Sequence, residues 1–399
     1  MKYLVLLGDG MSDEPLGQLG GATPLEKADT PHMDRLARQG SIGLVRTVPD
    51  GFHPGSDVAN LSVFGYDPHQ CYTGRSPLEA ASMGVELGPD DVAFRLNFVH
   101  LVPHFNKLYM GDFSAGHIPT DQAQSLIAAL KEYLEDDQFQ FHPGVSYRHL
   151  MVWRGGSEAM QCTPPHDITN KCIGEYLPKG EGAEELIHLM TQAQIVLKNH
   201  PQNLRREQEG ELTANSIWLW GQGRAPRMKS YRELYGLSGA VISAVDLIKG
   251  IGIYAGMEAI RVPGATGYID TNYRGKAEAA LAALEEKDFV YVHVEAPDEA
   301  AHSGNLEHKI RAIEDFDREI VGAIVEGLQG RHDFRLAVLP DHPTPVEKMT
   351  HTADPVPFIL YDSTSPRESG HSGYSERNAR ESDLFYASGV ELFAALLGR

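Results

Sequence analysis

The sequence predicts an α/β fold: a mostly parallel sheet covered by helices on both faces. Continuous apolar runs at residues 2–7, 240–245, 289–294, 335–339 and 356–361 have the length of strands buried on both sides. Helix-period stretches at 31–39, 276–285, 308–328 and 388–397 alternate with them, which is the pattern of a doubly covered sheet. The middle of the chain has its own strands (92–99, 147–152) and helices (120–134, 184–199). Residues 91–212 are therefore expected to form a smaller α/β cap domain, inserted into a discontinuous domain of residues 1–90 and 213–399. A set of surface loops would not show that much periodicity.

Taken in order, the elements carry their own punctuation. The first strand ends at Gly8-Asp9-Gly10, and Pro31 opens the first helix, where its missing N–H costs nothing. Pro54-Gly55 closes a loop, and Ser56-Asp57-Val58-Ala59-Asn60-Leu61 reads as a helix N-terminus. After the strand at 289–294, Pro297 starts a helix that carries Asp298 and His302 at i, i+4, on one face. The strand at 335–339 runs into Pro340-Asp341-His342-Pro343. Parallel sheets gather ligands at the carboxyl ends of their strands, and Asp9, Asp298 and Asp341 each follow such an end.

Composition narrows the function. The 399 residues, 42% of them apolar, can bury two domains' worth of core. A formal net charge of -20 opposes any sequence-independent hold on nucleic acid or anionic lipid. A small phosphorylated metabolite remains an open partner, because bound divalent cations supply positive charge locally. Cys71, Cys162 and Cys172 are too few for a disulfide framework and lack zinc-site spacing, which reads as a reducing cytosol. The apolar run at 3–7 is shorter than a secretory signal core, and no stretch approaches the ~20 apolar residues of a membrane span. The expectation is a soluble, cytoplasmic protein without nucleic-acid or membrane partners; oligomeric state leaves no signature.

Asp9, Asp298, His302, Asp341, His342 and His351 supply hard carboxylate oxygens and imidazole nitrogens, the ligand mix accepted by Mn²⁺, Zn²⁺, Co²⁺ or Mg²⁺. Two such divalent metal ions bracketing one phosphate would make a phosphoryl-transfer site. Adjacent Asp341 and His342 are expected to point their side chains apart, serving different metals or bracketing one from two sides. Pro340, Pro343 and Pro345 stiffen that loop. Ser56 is the candidate nucleophile, at a helix end that favours anions. A serine hydroxyl needs activation, and with no G-x-S-x-G or Ser-His-Asp context the metals are its remaining means. Without those ligands Ser56 would read as a plain N-cap. The chain has neither a G-x-x-x-x-G-K-[ST] loop nor a G-x-G-x-x-G fingerprint after a strand.

The ordered motifs resemble the archaeal-type branch of the cofactor-independent phosphoglycerate mutases, within the alkaline phosphatase superfamily, from Leu4 to about Tyr361. The resemblance is carried by Gly8-Asp9-Gly10, Ala28-Asp29-Thr30-Pro31-His32-Met33-Asp34, Pro54-Gly55-Ser56-Asp57-Val58-Ala59 and Gly74-Arg75-Ser76-Pro77-Leu78-Glu79-Ala80. Asp270-Thr271-Asn272-Tyr273 with Lys276, Pro297-Asp298 through His302, Pro340-Asp341-His342 and His351-Thr352-Ala353-Asp354-Pro355 complete it. It implies an alkaline-phosphatase-like core and a phosphoserine at Ser56. It also implies one metal on Asp9, Ser56, Asp341 and His342 and a second on Asp298, His302 and His351. Lys276 and Arg75 are the candidate cations for the transferring phosphoryl oxygens. In the cap, which would exclude water from the transfer, Arg148 and the His166-Asp167 pair are candidate substrate contacts.

The implied reaction is interconversion of 2- and 3-phosphoglycerate. Homoserine kinase-type transfer and small-molecule phosphatase activity are the enzymatic alternatives, and a binding module that kept the fold is the non-catalytic one. The complete ligand set disfavours the last. The chain departs from the family where an Asp-Arg-x-Ala-Gly-Arg run is usual: it has Asp112-Phe113-Ser114-Ala115-Gly116-His117. Both arginines are missing, and a guanidinium fork is the expected partner for a glycerate carboxylate. Arg75, Arg95 or Arg148 could replace them, His117 is a further substrate-binding candidate, and Asp112 or Asp167 could receive an ammonium group if the acceptor were homoserine.

Overall fold

The computed structural model describes residues 1–399, which divide into two compact units, Met1–Tyr72 with Met228–Arg399, and Thr73–Arg227. The first unit opens with β1 (Lys2–Gly8), α1 (Pro31–Gln39), β2 (Ser41–Val45) and α2 (Ser56–Val63). The second holds α3 (Ser76–Ser82), β3 (Val92–His104), β4 (Lys107–Asp112), α4 (Thr120–Leu134), β5 (Phe139–Val145), β6 (Arg148–Trp153), α5 (Ala183–Lys198) and β7 (Ser216–Gly223). The chain then returns to the first unit with β8 (Gly239–Ile242), β9 (Glu258–Ile260), α6 (Tyr273–Glu286), β10 (Phe289–Val294), α7 (Ala296–His302) and α8 (Leu306–Asp315). It ends with β11 (Phe334–Leu339), β12 (Val356–Asp362), β13 (Phe385–Tyr386) and α9 (Gly389–Leu397).

In the first unit the sheet order is β9-β8-β10-β1-β11-β12-β2-β13. Every pairing is parallel except those of β12, which runs antiparallel to both β11 and β2. The sheet is therefore mostly parallel, with one reversed strand at residues 356–362. Leu4, Leu6, Val290, Val292, Leu336 and Val338 face one layer of helices, meeting Leu36 of α1, Ala277 and Ala280 of α6, and Ile313 of α8. On the other face Val5 and Leu339 meet Val63 of α2 and Leu392 and Phe393 of α9. These side chains are at most 3% exposed, and truncating one such leucine to alanine would cost roughly 2–5 kcal/mol.

The single helix expected over 308–328 is broken. α8 gives way to a π-helical stretch, Phe316–Gly322, before helix resumes at Ala323–Leu328. The wider turn aims the buried Asp317 at the start of α1, where its carboxylate accepts the N–H groups of His32 at 3.1 Å and Met33 at 2.6 Å. Two otherwise unpaired N-terminal donors are thereby satisfied.

The second unit is built on an antiparallel sheet, β4-β3-β6-β5, with β7 also pairing β3. Phe94, Leu96, Phe98, Met151 and Trp218 form its core with Leu126 and Leu130 of α4 and Leu186 and Ala193 of α5. This unit is wider than the 91–212 segment. β7 pairs with β3 from Val99↔Ser216 to Ala93↔Gly223, and Ser76 Oγ accepts the Arg95 N–H at 2.6 Å and donates to the Trp220 carbonyl at 3.3 Å. Residues 73–90 and 213–227 are tied to it by these pairings.

Candidate active site

β10, β1 and β11 are adjacent parallel strands in one register: Leu7 pairs with His293 on one side and Leu339 on the other. They leave the sheet at one level, so the residues that follow them must meet. Asp9 comes directly off β1, its N–H bonded to the Val294 carbonyl at 2.9 Å. Asp298 lies in the first turn of α7, and Asp341 and His342 follow β11. Gly10 crosses between them at φ +60, its N–H donating to Asp341 Oδ1 at 3.2 Å. A Cβ there would stand 2.5 Å from Asp298 Oδ1, so only glycine fits.

Two ligand groups result. Asp9, Asp341 and His342 bring one ligand atom each within 4.8 Å of one another, and so do Asp298, His342 and His351. His302 joins the second group through Nε2, 3.2 Å from Asp298 Oδ2 and 2.9 Å from His351 Nε2. The expected divergence of Asp341 and His342 does not occur. His342 Nε2 is 3.4 Å from Asp341 Oδ2, because Asp341 Oδ1 turns back to accept the N–H groups of its own neighbour His342, at 2.9 Å, and of Gly10. His342 is thereby shared between the groups. Ser56 is the first residue of α2, with Gly55 at the cap position, so its hydroxyl is not spent on capping. Its Oγ lies 3.1 Å from His342 Nε2.

The imidazoles are oriented by partners behind them. His302 Nδ1 faces the Met349 carbonyl at 3.0 Å, His351 Nδ1 the Pro54 carbonyl at 3.3 Å, and His342 Nδ1 the Thr344 hydroxyl at 3.2 Å. Carbonyls accept only, so Nδ1 of His302 and of His351 carries a hydrogen, and once Nε2 is deprotonated its lone pair is the one free for a metal. The Met349 carbonyl is presented from a left-handed backbone, φ 54.

The carboxylates are supported likewise. Asn60, one turn after Ser56, donates Nδ2 to Asp341 Oδ2 at 2.8 Å and to the Ser56 carbonyl at 2.8 Å, while its Oδ1 accepts the Tyr291 hydroxyl at 2.6 Å. His293 and Asn60 are site residues that sequence reasoning missed. The lone histidine inside the apolar run 289–294 was the available signal for the first.

Burial, followed by the neighbouring Asp341 and Asp298, pushes the Asp9 carboxyl well above its ordinary range. Burial also raises Asp298, but hydrogen bonds from His302 and His351 outweigh it and hold that carboxyl well below the ordinary range. His302 is carried the other way: burial lowers it, yet Asp298 lifts it to about 9. Three buried carboxylates and three imidazoles packed this closely fit a divalent cation. So does Asp9 Oδ1, a buried oxygen with no hydrogen-bond partner.

Lys276 reaches the strand that carries His293. On α6 it is fully buried, its Nζ donates to the His293 carbonyl at 3.1 Å, and burial lowers it to about 8.

Within the second unit, Arg75 Nε and Arg95 Nη1 both bond Glu79 Oε1, at 2.8 and 2.9 Å. Burial raises the Glu79 carboxyl, but Arg95, Arg75 and Arg148 together hold it low. Three guanidiniums against one carboxylate leave an excess of positive charge. The Arg95 guanidinium lies 5.0 Å over Trp220, and that of Arg148 5.6 Å over Tyr147. Phe113, His117, Tyr147, His166 and Trp220 form one ring cluster with centroids 5.4–6.4 Å apart. Asp112 Oδ1 takes the N–H of Ser114, the N–H of Gly116 and the Ser114 hydroxyl, which fixes the turn. Asp167 is largely solvent-exposed, 3.7 Å from His166 Nε2.

A family model described as "2,3-bisphosphoglycerate-independent phosphoglycerate mutase" matches residues 37–203. A Geobacter sulfurreducens protein named "Probable 2,3-bisphosphoglycerate-independent phosphoglycerate mutase" is 61% identical over 399 residues, covering 100% of both chains. A Methanosarcina acetivorans protein named without that qualifier is 52% identical over 400 residues, again covering 100% of both. Among solved structures, a Pyrococcus horikoshii protein is 30% identical with a TM-score of 0.84, covering 100% of this chain and 96% of that one. A cofactor-independent phosphoglycerate mutase from Thermoplasma acidophilum is 26% identical with a TM-score of 0.66, covering 100% and 99%. No helix is long and apolar enough to cross a membrane.

Proposed function

The chain belongs to the 2,3-bisphosphoglycerate-independent phosphoglycerate mutases, and from that premise we propose how its own residues carry the reaction. It interconverts 2- and 3-phosphoglycerate by metal-dependent phosphoryl transfer through a phosphoserine. Ser56 is the residue that takes up the phosphoryl group. Its Oγ bonds to phosphorus as the bond from phosphorus to the glycerate oxygen breaks. The proton Ser56 gives up balances the one the released glycerate hydroxyl takes. The glycerate then presents its other hydroxyl, which accepts the phosphoryl group and returns the proton to Ser56.

Asp9, Asp341 and His342 with Ser56 would hold one divalent cation, and Asp298, His302 and His351 the second. When bound, the two ions (Mn²⁺, Zn²⁺, Co²⁺ or Mg²⁺) supply the positive charge that activates the hydroxyl and offsets the phosphoryl oxygens. The phosphoserine dianion sits at the first residue of α2, where free N–H groups and the helix dipole favour it. Lys276 acts behind the site, pinning the backbone of His293. Arg75, Arg95 and Arg148 are proposed to replace the two arginines missing from Asp112–His117 as partners of the glycerate carboxylate, with His117 and His166 beside them.

One observation carries this reading: Ser56 Oγ lies 3.1 Å from His342, the imidazole shared by both ligand groups. The purified protein, loaded with Mn²⁺, is expected to turn over 3-phosphoglycerate in an assay coupled to enolase. No mutase turnover, alongside formation of O-phosphohomoserine from ATP and homoserine, would replace this substrate assignment.

A further inference from the structure

We propose that Thr344 is a positioning residue that couples the two metal groups, its single hydroxyl fixing one ligand of each. The inference rests on the reading that both groups hold divalent cations. Thr344 is fully buried. Its Oγ1 lies 2.5 Å from Asp298 Oδ1 and 3.2 Å from His342 Nδ1. A hydroxyl has one hydrogen to give and lone pairs to accept, whereas an ionised carboxylate only accepts. The hydroxyl hydrogen therefore goes to Asp298, and a lone pair takes the hydrogen of His342 Nδ1. That assignment leaves the lone pair of His342 on Nε2, which faces Asp341 Oδ2 at 3.4 Å, Asp9 Oδ1 at 3.6 Å and Ser56 Oγ at 3.1 Å. The same hydroxyl holds Asp298 so that its other oxygen meets His302 at 3.2 Å.

The hydroxyl cannot drift, because the backbone behind it is clamped. The Thr344 N–H donates to the Ser12 carbonyl at 3.2 Å. Lys309, fully buried, donates to the Thr344 carbonyl at 2.8 Å, the Ser12 carbonyl at 3.1 Å and Asp13 Oδ2 at 2.8 Å. Glu376 in turn accepts the Ser12 hydroxyl, the Asp13 N–H and the Thr23 hydroxyl. This charged network, which no ligand assignment uses, joins the loop after β1 to the loop after β11. Because one clamped hydroxyl fixes a ligand of each group, its removal loosens Asp298 and His342 together, and both ions are bound less tightly.

Isothermal titration of Mn²⁺ into metal-free wild type, Thr344→Val, Thr344→Ala and Thr344→Ser tests this, with circular dichroism reporting folding. Valine keeps the shape and loses the hydroxyl, alanine guards against a folding failure of the valine variant, and serine restores the hydroxyl. Wild type is expected to bind two ions. The variants without a hydroxyl are expected to lose about 10–100-fold in affinity at both steps, and serine to recover most of it. Wild-type constants in Thr344→Val or Thr344→Ala, a loss confined to one step, or no recovery with serine would overturn the coupling. Fewer than two ions in the wild type would instead overturn the two-metal reading on which it rests.

Discussion

His293 Nε2 lies 2.9 Å from Asp9 Oδ2, with both side chains out of solvent. The other ring nitrogen, Nδ1, meets Ser243 Oγ at 3.1 Å, and that oxygen already accepts the Val245 N–H at 3.0 Å. The Asp9 carboxylate only accepts, so His293 donates Nε2–H to it, and Nδ1 of the neutral ring accepts the Ser243 hydroxyl. Burial lowers His293 to about 3, so the ring stays neutral at ordinary pH. One Asp9 oxygen is thus occupied, and the other faces the ligand group unpaired.

Replacing His293 by phenylalanine fills the space and removes that donor. Affinity for Mn²⁺ is expected to fall about 10–100-fold, as when the partner behind a metal ligand is lost. Competition against a chelator of known affinity measures it. Unchanged affinity would show that Asp9 is oriented without His293.

Metal binding should release protons. In the metal-free protein the Nε2 atoms of His302 and His351 face each other at 2.9 Å, and both groups are held up, His302 at about 9. A raised imidazole is protonated below that value, whereas a metal takes the deprotonated form. Apparent affinity should therefore climb as pH rises toward 9 and fall on the acid side. By the same sign, the stability that protonated His302 lends the metal-free protein is full below its ordinary 6.5 and lost as pH rises through about 9. Titrations in buffers of different ionisation enthalpy, at several pH values, would detect the released protons; pH-independent affinity would refute them.

Ser56→Ala should abolish the phosphoenzyme. The mutase rate is expected to drop by about 10³-fold or more, on the order of 4 kcal/mol of transition-state stabilisation. Mass spectrometry of the Ser56 peptide after incubation with 3-phosphoglycerate reports the intermediate. Transfer at the wild-type rate in the alanine variant would exclude the covalent route.

Gly10→Ala places a methyl group 2.5 Å from Asp298 Oδ1 and 2.6 Å from Thr344 Oγ1, on a backbone at φ +60. The left-handed conformation alone costs about 1–3 kcal/mol. The midpoint of urea unfolding should shift down accordingly, and Mn²⁺ binding should weaken with it. A variant as stable as wild type would mean that the loop after β1 relaxes without cost.

The sheet was legible in the sequence because strands buried on both faces leave continuous apolar runs, and β1, β10 and β11 sit where those runs do. The ligand residues stood out because carboxylates and histidines rarely follow three such runs by chance. What could not be read depends on partners far along the chain. The Thr344 hydroxyl looks like any turn residue until Asp298, 46 positions earlier, is placed against it. The π turn at Phe316–Gly322 leaves no periodic trace, since it is set by Asp317 meeting α1 across 284 positions. The reversal of β12 was likewise hidden: an apolar strand has the same composition in either direction.

β1 lies between β10 and β11, so Leu4 pairs with Val290 on one side and Leu336 on the other. During synthesis β1 must wait for almost three hundred further residues before either neighbour exists. Thr73–Arg227, by contrast, is contiguous and can complete its own sheet during that wait. Long-range strand pairing is slow, and an apolar strand without neighbours is open to aggregation. The nascent chain thus has a prolonged interval in which holdase chaperones would matter most, ending when β10 and β11 are synthesised.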